Sequence, residues 1–289
     1  MIDLSQMPAP EAIETVEFAA IFKALKSSFL TDWAEAVASD PTLPTMDTLL
    51  DSSPISMVLR VAAWREVQLR ARFNDGIKQM LIAYATGSNL IHLGAYLNVE
   101  KLDGETDERY RKRIQLRPEA LSLAGPAGAY VYHALTAVPA LIDATAIRSA
   151  DGEVTVTLLA SADAPQPTVA QIAVVRAALE ETAVAPLTDT LIVQGPDVTD
   201  VDIDVVLTLY PGPDGAIVRT AVIKALSELK TTNAILNQDL TLSAIYGRAH
   251  QTGVQSVRIA SPLADTAVSQ AGFVRIASIN VTIAAGRDT

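Results

Sequence analysis

Hydrophobic residues change their period along this chain, and that change limits the folds open to it. Phe18, Phe22, Leu25, Phe29, Trp33 and Val37 recur at steps of three and four, which places them on one face of a helix. Val154, Val156 and Leu158, and later Val201, Ile203, Val205, Leu207 and Leu209, recur at steps of two, as strand residues do. The chain therefore reads as α+β: an N-terminal helical hairpin and short helices, followed by two small α+β modules.

Asp40-Pro41 and Leu43-Pro44 end the first helix, because proline brings no amide hydrogen to a helix interior. Asp51-Ser52-Ser53-Pro54 opens a second helix, with a capping side chain and a proline in its first turn. Its apolar stripe, Ile55, Leu59, Ala62, Leu69, Phe73, Ile77, Met80 and Tyr84, predicts a helix to about Ala85, roughly 45 Å long. Such a stripe needs a partner, either the first helix or another chain. Thr106 caps a later helix with Asp107 and Glu108 in its first turn, and Asp107–Arg111 and Glu108–Lys112 have the spacing of i,i+4 pairs. Pro118 closes or kinks this helix, and Gly125-Pro126 opens the next, which ends near Val138-Pro139.

From about residue 150 the order is strand–helix–strand, then strand–helix–helix–strand–strand, with the last two strands near Val254–Ala260 and Phe273–Ile283. Two copies of one unit and a single ferredoxin-like sheet both accommodate that order. The expected divisions are 1–85 for the helical hairpin, 86–145 for a helical connector, 146–198 for the first module and 199–289 for the second.

The formal net charge of -11 repels phosphate backbones and anionic lipid, so neither nucleic acid nor membrane is expected as a partner. The N-terminal residues do not have the pattern of a secretory signal, and no apolar run is long enough to span a bilayer. With no cysteine, thiolate catalysis and thiolate metal sites are excluded. His92, His133 and His250 share no ligand spacing. There is no P-loop, no glycine-rich dinucleotide turn and no nucleophile elbow around Gly87-Ser88. Glu105, Asp107 and Glu108 form the densest acidic cluster, which a capped helix start explains without chemistry. Asp200, Asp202 and Asp204 read as the solvated face of a strand. The expectation is a protein that is not an enzyme, with no cofactor and no metal.

Three stretches carry a resemblance: Gly87-Ser88-Asn89-Leu90-Ile91-His92-Leu93-Gly94, then Gly104-Glu105-Thr106-Asp107-Glu108-Arg109-Tyr110-Arg111-Lys112-Arg113-Ile114, then Ala124-Gly125-Pro126-Ala127-Gly128-Ala129-Tyr130. Val138, Ile142-Asp143-Ala144 and Asp151-Gly152-Glu153-Val154 continue it. Together they resemble the baseplate J-like family of contractile phage tails and phage-derived tailocins. In one departure, Lys101-Leu102-Asp103 stands before the Gly-Glu pair, where the family often carries an arginine.

The resemblance implies a structural wedge subunit of the baseplate, located in the virion or tailocin tail and assembled in the host bacterial cytoplasm. It implies as partners a second copy of the chain, a protein I-like wedge partner and a small lysozyme-like wedge subunit, with sheath and hub proteins nearby. It implies no catalytic residues. Competing readings are another tail structural protein and a tail-associated glycan hydrolase. The residues expected at interfaces are Phe22, Phe29, Leu59 and Phe73 on the hairpin, and Glu105, Asp107, Arg111 and Arg113 in the connector. Edges at Leu191–Val193 in the first module and Phe273–Ile283 in the second mark the C-terminal modules as the ring-forming part, with 199–289 as the oligomerisation module.

Overall fold

A computed structural model describes residues 4, 7, 8, 10–122, 125–180, 190–212 and 214–284. Chain contacts divide the protein into two compact units, one ending at Tyr96 and the other beginning at Leu97.

The first unit holds α1 (Phe18–Ser39), α2 (Pro54–Gln79) and α3 (Gly87–Tyr96). The Ser53 hydroxyl accepts the Ser56 amide at 3.1 Å, and Pro54 sits where a missing N–H costs nothing. The helix spans 26 residues rather than continuing to Ala85. Its end is fixed by Gln79, whose side-chain oxygen accepts from the Thr86 amide at 3.0 Å and from Asn89 Nδ2 at 3.1 Å. A continuing helix would carry residue 86 roughly 10 Å away along the axis. Met80 and Tyr84 consequently lie in the turns beyond α2 rather than on its stripe.

The face of α2 turned inward is Ser56, Ala63 and Asn74, all buried. Asn74 donates to the Glu14 carbonyl at 2.8 Å and accepts its amide at 3.2 Å. Phe18 stacks on Trp64 with centroids 4.6 Å apart. No residue of α1 is buried.

The second unit begins with α4 (Asp107–Ala120) and α5 (Ala127–Ala137). Pro118 lies inside α4, which stops two residues later. Next come β1 (Asp143–Ala150), β2 (Glu153–Leu159), α6 (Val169–Leu179) and β3 (Thr190–Gln194). β2 is central, antiparallel to β1 and parallel to β3, with α6 as the crossover. The sequence reading places no strand at β1, because its Ala144, Thr145, Ala146 and Ser149 are too small to show an alternation. Pairing with β2 from Asp143↔Leu159 to Ala150↔Glu153 makes it a strand.

β4 (Asp197–Leu209), α7 (Gly215–Thr232), α8 (Leu242–Ala249), β5 (Val254–Ser261) and β6 (Gly272–Ile283) complete the chain. Their sheet has the order β5-β4-β6, with β5 antiparallel and β6 parallel to the centre. The sheets are therefore two, not one. Each has a central strand with one antiparallel and one parallel neighbour, but the strands arrive in a different chain order. The edges named from sequence belong to β3 and β6, which are edge strands. Val201, Ile203, Val205 and Leu207 point into a core shared with α7, while Asp200 and Asp202 are exposed on the opposite face. Leu159, Leu236 and Phe273 form a smaller buried cluster that joins the two sheets.

Candidate functional site

The block from Gly104 to Ile114 builds the densest polar arrangement of the second unit. Gly104 has φ +73°, a left-handed turn that glycine enters without steric cost. That turn delivers Glu105 to the start of α4. The Thr106 hydroxyl then caps the helix by accepting the Arg109 amide at 3.3 Å. Arg109 and Arg113 follow Glu105 at four and eight residues, on the same helical side.

All three side chains are buried, and Glu105 is fully so. Its Oε1 accepts from Arg109 Nη1 and from Arg113 Nε, the latter at 2.8 Å. Its Oε2 accepts from Arg113 Nη2 at 2.7 Å and from the Leu102 amide at 3.0 Å. Burial pushes the Glu105 carboxyl up. The Arg113 hydrogen bonds, the Leu102 amide and the two guanidinium charges outweigh burial and hold it below its ordinary range. Burial lowers Arg109 and raises Tyr110.

The guanidiniums have further work. Arg109 donates to the carbonyls of Leu135, Val138 and Leu141, the last at 2.7 Å, and so caps the C-terminal end of α5. Arg113 donates to the Glu100 carbonyl at 2.6 Å and to Thr136 Oγ1 at 3.3 Å. Tyr110 donates its hydroxyl to the Val99 carbonyl at 2.7 Å. Chemically this is an ion-paired clamp. A carboxylate saturated by two guanidiniums and an amide has no free position for a proton or a substrate, so it does not fit a general acid or base. Among the described residues no group of three or more acidic or histidine side chains is placed to hold a metal ion, and no helix is long and apolar enough to cross a membrane.

The cluster also pairs beyond its own helix. Asp107 meets Lys101, and Lys112, expected opposite Glu108, meets Asp143. Both cations reach outward to other segments, which a pairing rule confined to one helix does not see. Glu105 and Arg113 are buried within the unit, whereas Asp107 and Arg111 are half-buried at its surface. On the hairpin Phe22, Phe29 and Leu59 are half-buried and Phe73 is 66% exposed.

Sequence reasoning named Asp143 only as part of the resemblance, with no role, and did not single out Glu119. Asp143 is buried, meets Lys112, and accepts the Leu236 amide at 2.9 Å, tying α4 to the loop after α7. Glu119 accepts the Gly128 amide at 2.9 Å and so caps α5, whose own Pro126 has no capping side chain. Neither role shows in a local pattern, since each partner lies outside the residue's own element.

Comparison with known proteins bears on the whole chain. Residues 51–103 match the baseplate J-like N-terminal domain, and residues 122–195 match the baseplate J-like central domain. The Gly104–Ile114 block lies between those two segments. The chain is 34% identical to Baseplate protein J of Escherichia phage P2, over 94% of this chain and 95% of that one. Among solved structures it is similar to a chain of the six-fold symmetrised baseplate of the anti-feeding prophage, with 13% identity and a TM-score of 0.41. That likeness covers 61% of this chain and 42% of the other, so this chain spans less than half of it.

Proposed function

We propose, from the premise that this chain belongs to the baseplate J-like family, that it is a wedge subunit whose assembly closes the baseplate ring around the spike hub of a contractile tail. Its role as a structural subunit of a phage-type tail baseplate rests on one observation above the others: 34% identity to Baseplate protein J over nearly the full length of both chains. Partners within the baseplate follow from that role.

The finer assignment is our own. The hairpin of α1 and α2 is the bundling element, which meets a second copy of the chain and a protein I-like wedge partner. The small lysozyme-like subunit, the sheath and the hub are further neighbours. The two sheet modules carry wedge-to-wedge contact, and assembly takes place in the host cytoplasm. Support comes from α1, a 22-residue helix whose apolar residues are at most half-buried, because an apolar stripe left half-covered calls for a further partner. The clamp around Glu105 supports a scaffold rather than an enzyme, since its charged groups are used up in holding α4 to α5. Co-expression with the neighbouring tail genes, followed by native mass measurement, tests the assignment. A defined complex containing this chain is expected. A chain that stays monomeric beside all tail partners, or purified protein with muralytic activity, overturns it.

A further inference from the structure

We infer that the outward face of α2 docks an acidic amphipathic helix from a different polypeptide. This rests on the reading of the hairpin as a docking element and names the chemistry of what docks there. At 100° per residue, Val58, Val61, Arg65, Leu69 and Arg72 lie within about 45° of the direction opposite Ser56, Ala63 and Asn74, and Phe73 stands on the flank of that side. Val58, Val61, Leu69 and Phe73 are 69%, 65%, 69% and 66% exposed. The outer side of an amphipathic helix is ordinarily polar, and a row of large apolar groups there marks an interaction surface. Val58, Arg65 and Arg72 are spaced by seven, which sets them in one line along that face.

The arginines decide the occupant. Arg70 pairs with Glu66 and Glu14, and Arg60 lies 5.7 Å from the Phe22 ring and donates to the Asp51 carbonyl. These two cations are used inside the hairpin. Arg65 reaches the Gln68 side chain at 3.4 Å, and neither Arg65 nor Arg72 is in an ion pair among the described residues. That face thus presents two exposed guanidiniums among apolar side chains. The same face of a second copy would set arginine against arginine, which is repulsive. A helix with a leucine stripe flanked by glutamates covers the apolar row and pairs both cations.

Two designed peptides test this by fluorescence anisotropy on the full chain: a leucine-striped helix flanked by glutamates, and the same helix flanked by lysines. The glutamate peptide is expected to bind about tenfold tighter at low salt, an advantage that shrinks as salt is added. Arg65→Glu combined with Arg72→Glu should reverse the preference, with circular dichroism confirming that the exposed changes leave the fold intact. Equal binding of both peptides, binding of neither, or self-association through this face that Phe73→Ala abolishes overturns the inference. Co-assembly with neighbouring tail proteins separates the two levels. Assembly that survives Phe73→Ala sinks the docking reading itself. Assembly lost with Phe73→Ala but kept on charge reversal sinks only the acidic occupant.

Discussion

Glu105 shows why a single buried carboxylate can matter more than a row of exposed ones. Removing its charge leaves Arg109 and Arg113 buried without an anion, so Glu105→Gln is expected to cost about 3–5 kcal/mol in a denaturant melt. No hydrolytic activity should disappear with it. Replacing all three residues by apolar ones should not restore stability, because the carbonyls of Leu135, Val138, Leu141 and Glu100 would lose their donors. The pH dependence follows from the direction of the shift. The folded-state value of Glu105 lies below its unfolded value of about 4.3, so the ion-pair stabilisation is complete above that point. It is lost as pH falls through the folded-state value. Denaturation midpoints measured against pH should therefore drop on the acid side, and drop less steeply in Glu105→Gln. At Gly128 a Cβ would lie 2.0 Å from a Glu119 carboxylate oxygen. Gly128→Ala should displace that carboxylate, with the lost cap offset by the helix propensity that alanine gains over glycine. Glu119→Ala removes the cap alone and should cost about 1 kcal/mol, and an unchanged melting midpoint there would show that the cap is dispensable.

At the level of elements, α2 separates what patterning reveals from what only packing decides. Its start was legible because Ser53 and Pro54 are local signals, and so was the Thr106 cap of α4. Its end was not, because Gln79 is captured by Thr86 and Asn89, residues beyond the helix. The side that faces α1 was hidden for the same kind of reason. Burial falls on small or polar residues, Ser56, Ala63 and Asn74, while the apolar stripe is divided, with Ile55, Leu59 and Ile77 half-buried and Leu69 and Phe73 exposed. A hydrophobic pattern shows that a face needs cover and does not show which neighbour covers it. β4 was legible from Val201 onward, where buried residues alternate with more exposed ones, but not from Asp197 to Asp200, and β1 depends on its partner. The clamp was legible as a motif only, since the carbonyls that Arg109 reaches lie 26 to 32 residues away. These differences predict opposite outcomes for two truncations. Leu226→Ala, fully buried in α7, should destabilise the isolated chain by about 2–5 kcal/mol. Phe73→Ala should change its stability by no more than about 0.5 kcal/mol while reducing co-assembly with tail partners. A large loss of stability with Phe73→Ala and intact assembly would place that ring in the chain's own core.

Within the second unit, the two sheets are tied into one body at several points. Leu159, Leu236 and Phe273 are buried together, Asp143 holds the Leu236 amide, and Lys230 meets Asp163. Arg275 binds Asp200 through two bonds of 2.7 Å and reaches the Asp163 carbonyl at 3.4 Å. Cutting the chain before Val201 would remove Leu236 and Phe273 and uncover Leu159, so loss of function in such a fragment would conflate misfolding with loss of contact. The edge of β6 allows a cleaner test. Its first half is anchored by buried Phe273, Val274 and Ile276, and its one charge, Arg275, is held by Asp200. From Ala277 to Ile283 it carries no charge and is largely exposed. An edge strand with unpaired backbone groups and no charge to block it invites a neighbouring chain. Lysines at Ala277 and Asn280, both exposed, put charge on that edge while leaving the buried half and the junction intact. The doubly substituted chain should melt within a few degrees of the parent, since exposed changes are worth about 0.5 kcal/mol or less. It should still co-purify with its wedge partner through the hairpin. Electron microscopy of tails assembled with it should show wedges without closed rings and no sheathed particles. Closed rings in normal number would remove β6 from the ring contact, and loss of wedge-partner binding in a chain that still melts normally would move that contact from the hairpin to the sheet modules.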